Sequence, residues 1–149
     1  MYEITRKLEF DAGHRVPLHE SKCKTPHGHR YVVEVTVTAP RLTEEGFVID
    51  FGKVKSIVGG WIDDNLDHTM IYQKGDILME AMRDECYVQD GDGTLREWYV
   101  LPYPPTAENL ARHLFGKANE LLNFAGMFVK RIRVWETPNC FADWSGGPK

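Results

Sequence analysis

The sequence predicts an α+β fold, an antiparallel four-stranded sheet with two main helices packed on one face. Three observations predict it. Tyr2–His14 and a stretch from about Arg30 to Thr38 alternate apolar and polar residues at the strand period of two. A stretch from about Phe51 to Asp64 and the run after Thr106 repeat apolar residues at three and four, the helical period. Two extended stretches, Met127–Glu136 and about Cys140–Trp144, then close the chain, so strands and helices are segregated rather than strictly alternating.

In the first strand Tyr2, Ile4, Leu8, Phe10 and Ala12 take the even positions and Glu3, Thr5, Lys7 and Glu9 the odd ones. Arg6 is the exception. In the second, Val33, Val35 and Val37 share a face, and the loop between carries the turn formers Pro17, Pro26 and Gly28 together with Cys23. Asp50 reads as the N-cap of the first helix, whose stripe is Val54, Ile57, Val58, Trp61 and Ile62, interrupted by Gly59 and Gly60. An insertion at about 73–101 holds a short helix near Ile77–Met82, a turn at Asp90-Gly91-Asp92-Gly93 and a short strand Glu97–Leu101. Thr106, after Pro104-Pro105, reads as the N-cap of the second helix. Its stripe is Leu110, Ala111, Leu114, Phe115, Ala118, Leu121 and Leu122. In the strand that follows, the alternation sets Phe128, Ile132 and Val134 on one face.

With 149 residues and no linker or repeat, one domain spanning 1–149 is expected. Eighteen Lys and Arg against 22 Asp and Glu give a net charge of −4, which argues against a nucleic-acid binder built on phosphate neutralisation. No apolar stretch approaches the ~20 residues of a membrane span. The charged, alternating start is unlike a signal peptide, and three cysteines (Cys23, Cys86, Cys140) leave one unpaired in any intramolecular scheme. Free thiols in a reducing cytoplasm are therefore expected.

Several residues look chemical. His14 closes the apolar face of the first strand, and His27 and His29 enter the second with the parity of Val33, Val35 and Val37. Residues two apart on a strand share a face. If the strands pair, three imidazoles converge, a set that suits Zn²⁺ and leaves its fourth position to water or substrate. The plainer alternative is a solvated His-Gly-His turn and a satisfied core histidine. Cys23, four residues before His27, is open to three readings: a fourth ligand, an inert thiol or an activated base. Cys86 and Cys140 read as inert. In Asp67-His68 a carboxylate adjoins a ring it could orient for proton transfer, although such pairs in loops are often only polar. Glu136 has the parity of Ile132 and Val134, so it is either an inward carboxylate in need of a partner or a residue beyond the strand's end. Glu108 in a helix first turn is accounted for by the macrodipole alone.

Taken in order, Phe10-Asp11-Ala12-Gly13-His14, Cys23 through His29, Asp50-Phe51, Leu66-Asp67-His68, Pro105-Thr106-Ala107-Glu108-Asn109 and Trp135-Glu136-Thr137 span nearly the whole chain. The set resembles the 6-pyruvoyltetrahydropterin synthase / 6-carboxytetrahydropterin synthase family. The resemblance implies the tunnelling fold, with two stacked trimers forming a homohexamer and active sites between subunits. It implies zinc on His14, His27 and His29, Cys23 as catalytic thiol, Asp67 and His68 as its acid–base partners, and Glu136 as pterin anchor. Thr106 and Glu108 enter as substrate-binding candidates on the same ground.

The three residues between Cys23 and His27, and the ending Thr137-Pro138-Asn139-Cys140, resemble the bacterial carboxy-forming branch of queuosine biosynthesis. That branch turns 7,8-dihydroneopterin triphosphate into 6-carboxy-5,6,7,8-tetrahydropterin, acetaldehyde and triphosphate. The alternatives are the pyruvoyl-forming reaction and a non-catalytic zinc-containing pterin-binding protein. A cysteine at position 23 argues against the branch that carries glutamate there.

Overall fold

The computed structural model describes residues 1–86, 88–89, 91–124 and 126–146. In chain order its elements are β1 (Tyr2–His14), a single 3₁₀ turn (Lys22–Lys24), β2 (His27–Ala39), α1 (Phe51–Val54), a π-helical turn (Lys55–Gly59) and α2 (Gly60–Asn65). There follow β3 (Thr69–Gln73), α3 (Ile77–Glu85), β4 (Val88–Gln89), β5 (Leu95–Arg96), β6 (Tyr99–Leu101), α4 (Ala107–Leu121), β7 (Phe128–Thr137) and β8 (Cys140–Ser145).

The α+β class holds, but the sheet is six-stranded and mixed, not four-stranded and antiparallel. Its order is β6-β3-β1-β2-β7-β8. The expected four strands form its antiparallel part, and β3 and β6 extend it in parallel beyond β1. These additions come from the end of the first helix and from the insertion. β6 falls within the short strand expected at Glu97–Leu101, whereas β3 is too short for a period of two to show, and the parallel pairing of both is a long-range arrangement with no turn signal to announce it. The rest of the insertion forms the β4–β5 hairpin and α3. Of the turn expected at Asp90–Gly93, Asp90 lies outside the described residues, and Gly93 has the positive φ (+87°) that favours glycine.

β1 and β2 pair along their full length, from Tyr2↔Ala39 to His14↔His27. The register sets Leu8, Phe10 and Ala12 on the face of Tyr31, Val33, Val35 and Val37, all buried. Val54, Val58, Ile62 and Leu66 from the first helix and Leu110, Leu114 and Ala118 from α4 belong to the same core. Asp50 caps α1 by accepting from the Gly52 and Lys53 amides, and Thr106 caps α4 by accepting from the Asn109 amide. The glycine pair does not end the first helix; its path widens into a π turn there. A Cβ on Gly59 would stand 3.2 Å from Leu8 Cδ2, so the missing side chain lets the helix lie close on β1.

One expected core residue faces the other way. A bulge between Thr36 and Val37 sets Val37 opposite Val129, so Val129 is buried and Phe128 is 50% exposed. The extra residue inverts the alternation at that end of β7. Among the described residues no helix is long and apolar enough to cross a membrane.

The end of β1 is tied to the insertion by an ion pair. Arg15 donates through Nε and Nη2 to the two carboxylate oxygens of Asp76, at 2.8 and 2.7 Å, and Asp76 also caps α3 at the Met79 amide. The Asp76 side chain is 1% exposed. Its burial alone would push the carboxyl up, but the Arg15 guanidinium and the Met79 and Leu78 amides reverse this and hold it below the ordinary carboxylate value. Asp76→Ala should therefore cost about 3 kcal/mol or more in urea unfolding at neutral pH, because it leaves a guanidinium desolvated and a helix uncapped. The contribution is present above the unfolded carboxylate pKa and lost as pH falls through the lower folded one, so the gap between wild type and variant should narrow in acid.

Candidate metal centre and catalytic cleft

The β1–β2 register brings the histidines together. His14 lies directly opposite His27, and His29 lies opposite Ala12, one pleat along on the same face. One ligand atom from each of the three rings falls within 4.8 Å of the others. Ring centroids are 4.7 to 5.1 Å apart and the rings meet edge to face, as side chains crowd around a common centre.

The ring protons are assigned by the neighbours. His14 Nδ1 donates to the Pro105 carbonyl at 2.7 Å, and His27 Nδ1 donates to the Thr25 carbonyl at 2.6 Å. A carbonyl only accepts, so in both rings Nδ1 carries the hydrogen and Nε2 keeps a free lone pair. Among the described residues, Nε2 of His14 and of His29 is buried without a hydrogen-bond partner. Burial pushes the His14 imidazole down to about 4; its bond to Pro105 opposes this, and the neighbouring His27 and His29 add to it. Burial likewise lowers His29, against the pull of Glu136. Neutral rings with inward lone pairs and no partner fit a divalent metal ion, and the outer hydrogen bonds to carbonyls are the usual support of such ligands.

Glu136 does point inward. Its Oε1 lies 3.3 Å from His14 Nε2 and 3.6 Å from His29 Nε2, and its side chain is 27% exposed. Cys23 sits on the 3₁₀ turn, held where the Val16 amide donates to the Cys23 carbonyl at 2.9 Å and Arg15 Nη1 donates to the Lys24 carbonyl. Cys23, His14, Glu136, Thr106 and Glu108 line one cleft of about 330 Å³, together with Cys140 and Phe141 from β8. Cys23 is not among the three clustered ligand groups.

Asp67 and His68 are not in this cleft. They lie where α2 turns into β3: Asp67 Oδ1 accepts from the Asp11 amide at 2.9 Å, and Oδ2 accepts from His68 Nδ1 at 2.8 Å. Burial would raise the Asp67 carboxyl, but the Asp11 amide, His68 and the nearby Arg96 hold it below its ordinary value. His68 is 69% exposed, and its Nε2 is free to take or give a proton. Among the described residues it is the one non-glycine with positive φ (+58°), a conformation costing of order 1 kcal/mol and held by the bond from its amide to the Asp11 carbonyl.

Two contributors escaped the reading of the residues. Tyr31, next in parity after His29, is fully buried, with its ring edge-on to His14 and His29 and its hydroxyl unpartnered. Burial and then the nearby Glu136 push its phenol well above the ordinary value. Parity alone pointed to it, but a tyrosine in a core needs no function. The other is the Pro105 carbonyl, a backbone group that no residue type marks.

The sequence model of the family described as 6-pyruvoyl tetrahydropterin synthase matches residues 3–146. The chain belongs to that family. A 6-carboxy-5,6,7,8-tetrahydropterin synthase from Rickettsia bellii is 43% identical over 147 residues, covering 96% of this chain and 99% of the relative. Among solved structures, an uncharacterised protein from Wolinella succinogenes matches with a TM-score of 0.80 at 24% identity over 98% of both chains. The 6-pyruvoyl tetrahydropterin synthase of Caenorhabditis elegans matches with a TM-score of 0.66 at 22% identity, over 98% of this chain and 96% of the other. At these identities the structural likeness concerns the fold.

The triad should take up about one zinc ion per chain, as three imidazoles around one centre imply. His27→Ala and His29→Ala should each abolish it, read by metal analysis after dialysis. Full metal content in both variants would rule out the triad as the site.

Proposed function

We propose that the chain is a zinc-dependent lyase of the carboxy-forming kind, acting on 7,8-dihydroneopterin triphosphate in queuosine biosynthesis. Its products are 6-carboxy-5,6,7,8-tetrahydropterin, acetaldehyde and triphosphate. The observation that carries this reading is a clustered histidine triad whose His14 lines one cleft with the Cys23 thiol and the inward Glu136 carboxylate. The name of the Rickettsia bellii relative agrees with it.

When bound, zinc supplies Lewis acidity toward the hydroxyls of the substrate side chain. The protein's own groups do the rest. His14, His27 and His29 would hold the ion. Cys23, as thiolate, removes a carbon-bound proton. Asp67 fixes the His68 tautomer so that Nε2 moves a proton on the opposite face of the substrate. Glu136 accepts two parallel N–H bonds from the pterin, which orients the ring. Thr106 and Glu108 line the same cleft and contact the substrate.

Asp67 and His68 stand outside the cleft of their own chain, so the proposed site is completed by another copy. Among the described residues β1 is paired on both sides only over Ala12–His14, and its other edge along Tyr2–Asp11 is open. Such an edge invites a strand from a neighbour and supports the proposed hexamer of two trimers. The free thiols Cys23, Cys86 and Cys140 accord with a reducing cytoplasm.

Purified protein incubated with 7,8-dihydroneopterin triphosphate should release acetaldehyde. A pyruvoyl product without acetaldehyde would assign the chain to the other reaction of the family. Cys23→Ala should keep fold and zinc but lose turnover, and loss of zinc would make Cys23 a ligand instead. Unchanged turnover would remove it from the mechanism.

Glu136→Gln should retain zinc but bind sepiapterin or biopterin roughly ten- to hundred-fold more weakly, the cost of one charge-assisted hydrogen bond at about 1.5–3 kcal/mol. Equal pterin affinity would place the anchor elsewhere.

A further inference from the structure

The His14 ring is aimed by a carbonyl, and that carbonyl is itself held in place by one side chain far from the metal-facing nitrogens. We propose that Asn109 is a positioning residue for the metal centre, acting through the Pro104–Pro105 turn on His14. The inference rests on the triad being a metal site and extends it to a residue that touches neither metal nor substrate.

The link between Asn109 and His14 is one peptide plane. The Pro105 carbonyl, which accepts from His14 Nδ1 at 2.7 Å, belongs to the same planar unit as the Thr106 amide. That amide donates to the Pro104 carbonyl at 2.9 Å, closing a three-residue turn about Pro105. A proline φ near −65° is close to what an inverse γ-turn requires. Across a trans peptide the N–H and C=O point in opposite directions. Fixing the Thr106 amide on Pro104 therefore aims the Pro105 carbonyl away from it, toward His14.

The anchor of this plane is the Pro104 carbonyl oxygen, and its second donor is Asn109 Nδ2 at 2.9 Å. Asn109 is well suited to this reach. It stands three residues into the helix capped by Thr106, where its own amide donates to Thr106 Oγ1 at 3.3 Å and its side chain turns back over the N-terminus. Two successive prolines remove two backbone donors from the segment and leave their carbonyls to be satisfied by others. Asn109 and Thr106 satisfy the first, and His14 satisfies the second. Without the Asn109 donor the turn is held by one bond, the Pro105 plane can rock, and the His14 ring follows it. Outer hydrogen-bond partners of ligating histidines are worth roughly ten- to hundred-fold in metal affinity.

The test uses the full chain, zinc and cobalt. Asn109→Ala removes the donor and puts the best helix former in its place, so the helix itself is not weakened. Asn109→Asp keeps the shape and sets an acceptor against the Pro104 oxygen. Both should bind zinc roughly tenfold more weakly in competition with a chromogenic chelator, Asn109→Asp at least as weakly as Asn109→Ala. Both should also shift the visible bands of bound Co²⁺. Thr106→Ala serves as the control: it removes the helix cap and should lower the melting temperature while leaving zinc affinity and the Co²⁺ spectrum in place. Asn109 variants with wild-type affinity and spectrum would overturn the role of Asn109 and leave the triad standing. The same loss in Thr106→Ala would reduce Asn109 to a part of the cap. A wild-type chain that takes up neither ion would overturn the metal reading itself.

Discussion

The pairing of β1 with β2 is the constraint on which the rest of the structure depends. Thirteen consecutive residue pairs run from Tyr2↔Ala39 to His14↔His27, and every one shares a side of the sheet with its partner. A slip of one residue would turn Leu8, Phe10 and Ala12 to solvent and Glu9 and Asp11 into the core. The stacked rings of Phe10 and Tyr31, with centroids 5.0 Å apart, lie between the valine layer and the histidines, so the register that packs the core also gathers the triad. On the reverse face, Gly13 and Gly28 pair next to the histidines. A Cβ on Gly13 would run into Met70 Sδ, so the Met70 side chain of β3 packs into the space that glycine leaves.

The triad is held at a cost. Two imidazole nitrogens are buried without partners, and a buried unsatisfied polar atom costs on the order of 1–3 kcal/mol. The same burial keeps the rings neutral at pH 7, with His14 pushed down to about 4. A group that resists protonation keeps its lone pair for a cation. The core below the triad supplies the stability that tolerates this, which is why ligands sit at the end of long, fully paired strands and not on a loop. Uptake of the proposed metal would then be coupled to folding through the same strands.

What the sequence disclosed follows from how local each signal is. The β1 and β2 alternation and the caps at Asp50 and Thr106 depend on neighbours within a few residues and read correctly from the chain, whereas parity left Glu136 open between an inward carboxylate and a residue beyond the strand, and the fold turns it toward His14. The bulge before Val37 does not announce itself, and it moved Phe128 out of the core in favour of Val129. β3 was hidden for a different reason, five residues being too few to show a period, while β6 lay within the expected Glu97–Leu101 strand and only its place in the sheet, beside a partner far away in sequence, escaped notice. Tyr31 and the Pro105 carbonyl were invisible as parts of the site because neither a core tyrosine nor a backbone oxygen carries a chemical label.

The separation of Cys23 from Asp67 and His68 is the feature that a single chain leaves without purpose. His68 is held in a left-handed conformation, its ring exposed and its tautomer fixed by a carboxylate kept ionised by the Asp11 amide, His68 itself and Arg96. Such strain persists only where surrounding bonds over-determine it, and here the His68 amide is bonded to β1, while the Asp67 amide is bonded to the Ile62 carbonyl of α2. The pair is thus tied to β1 and α2, and the His68 ring faces outward. On the proposed mechanism, the Asp67–His68 pair at the surface and the cleft that holds Cys23 are complementary halves. On the proposed assembly they meet across the open edge of β1, and the strain at His68 presents Nε2 to a neighbouring cleft. On that reading the fold separates two tasks: β1 and β2 build the proposed metal side of one site, while the junction of α2 and β3 supplies the proposed proton-transfer side of the next.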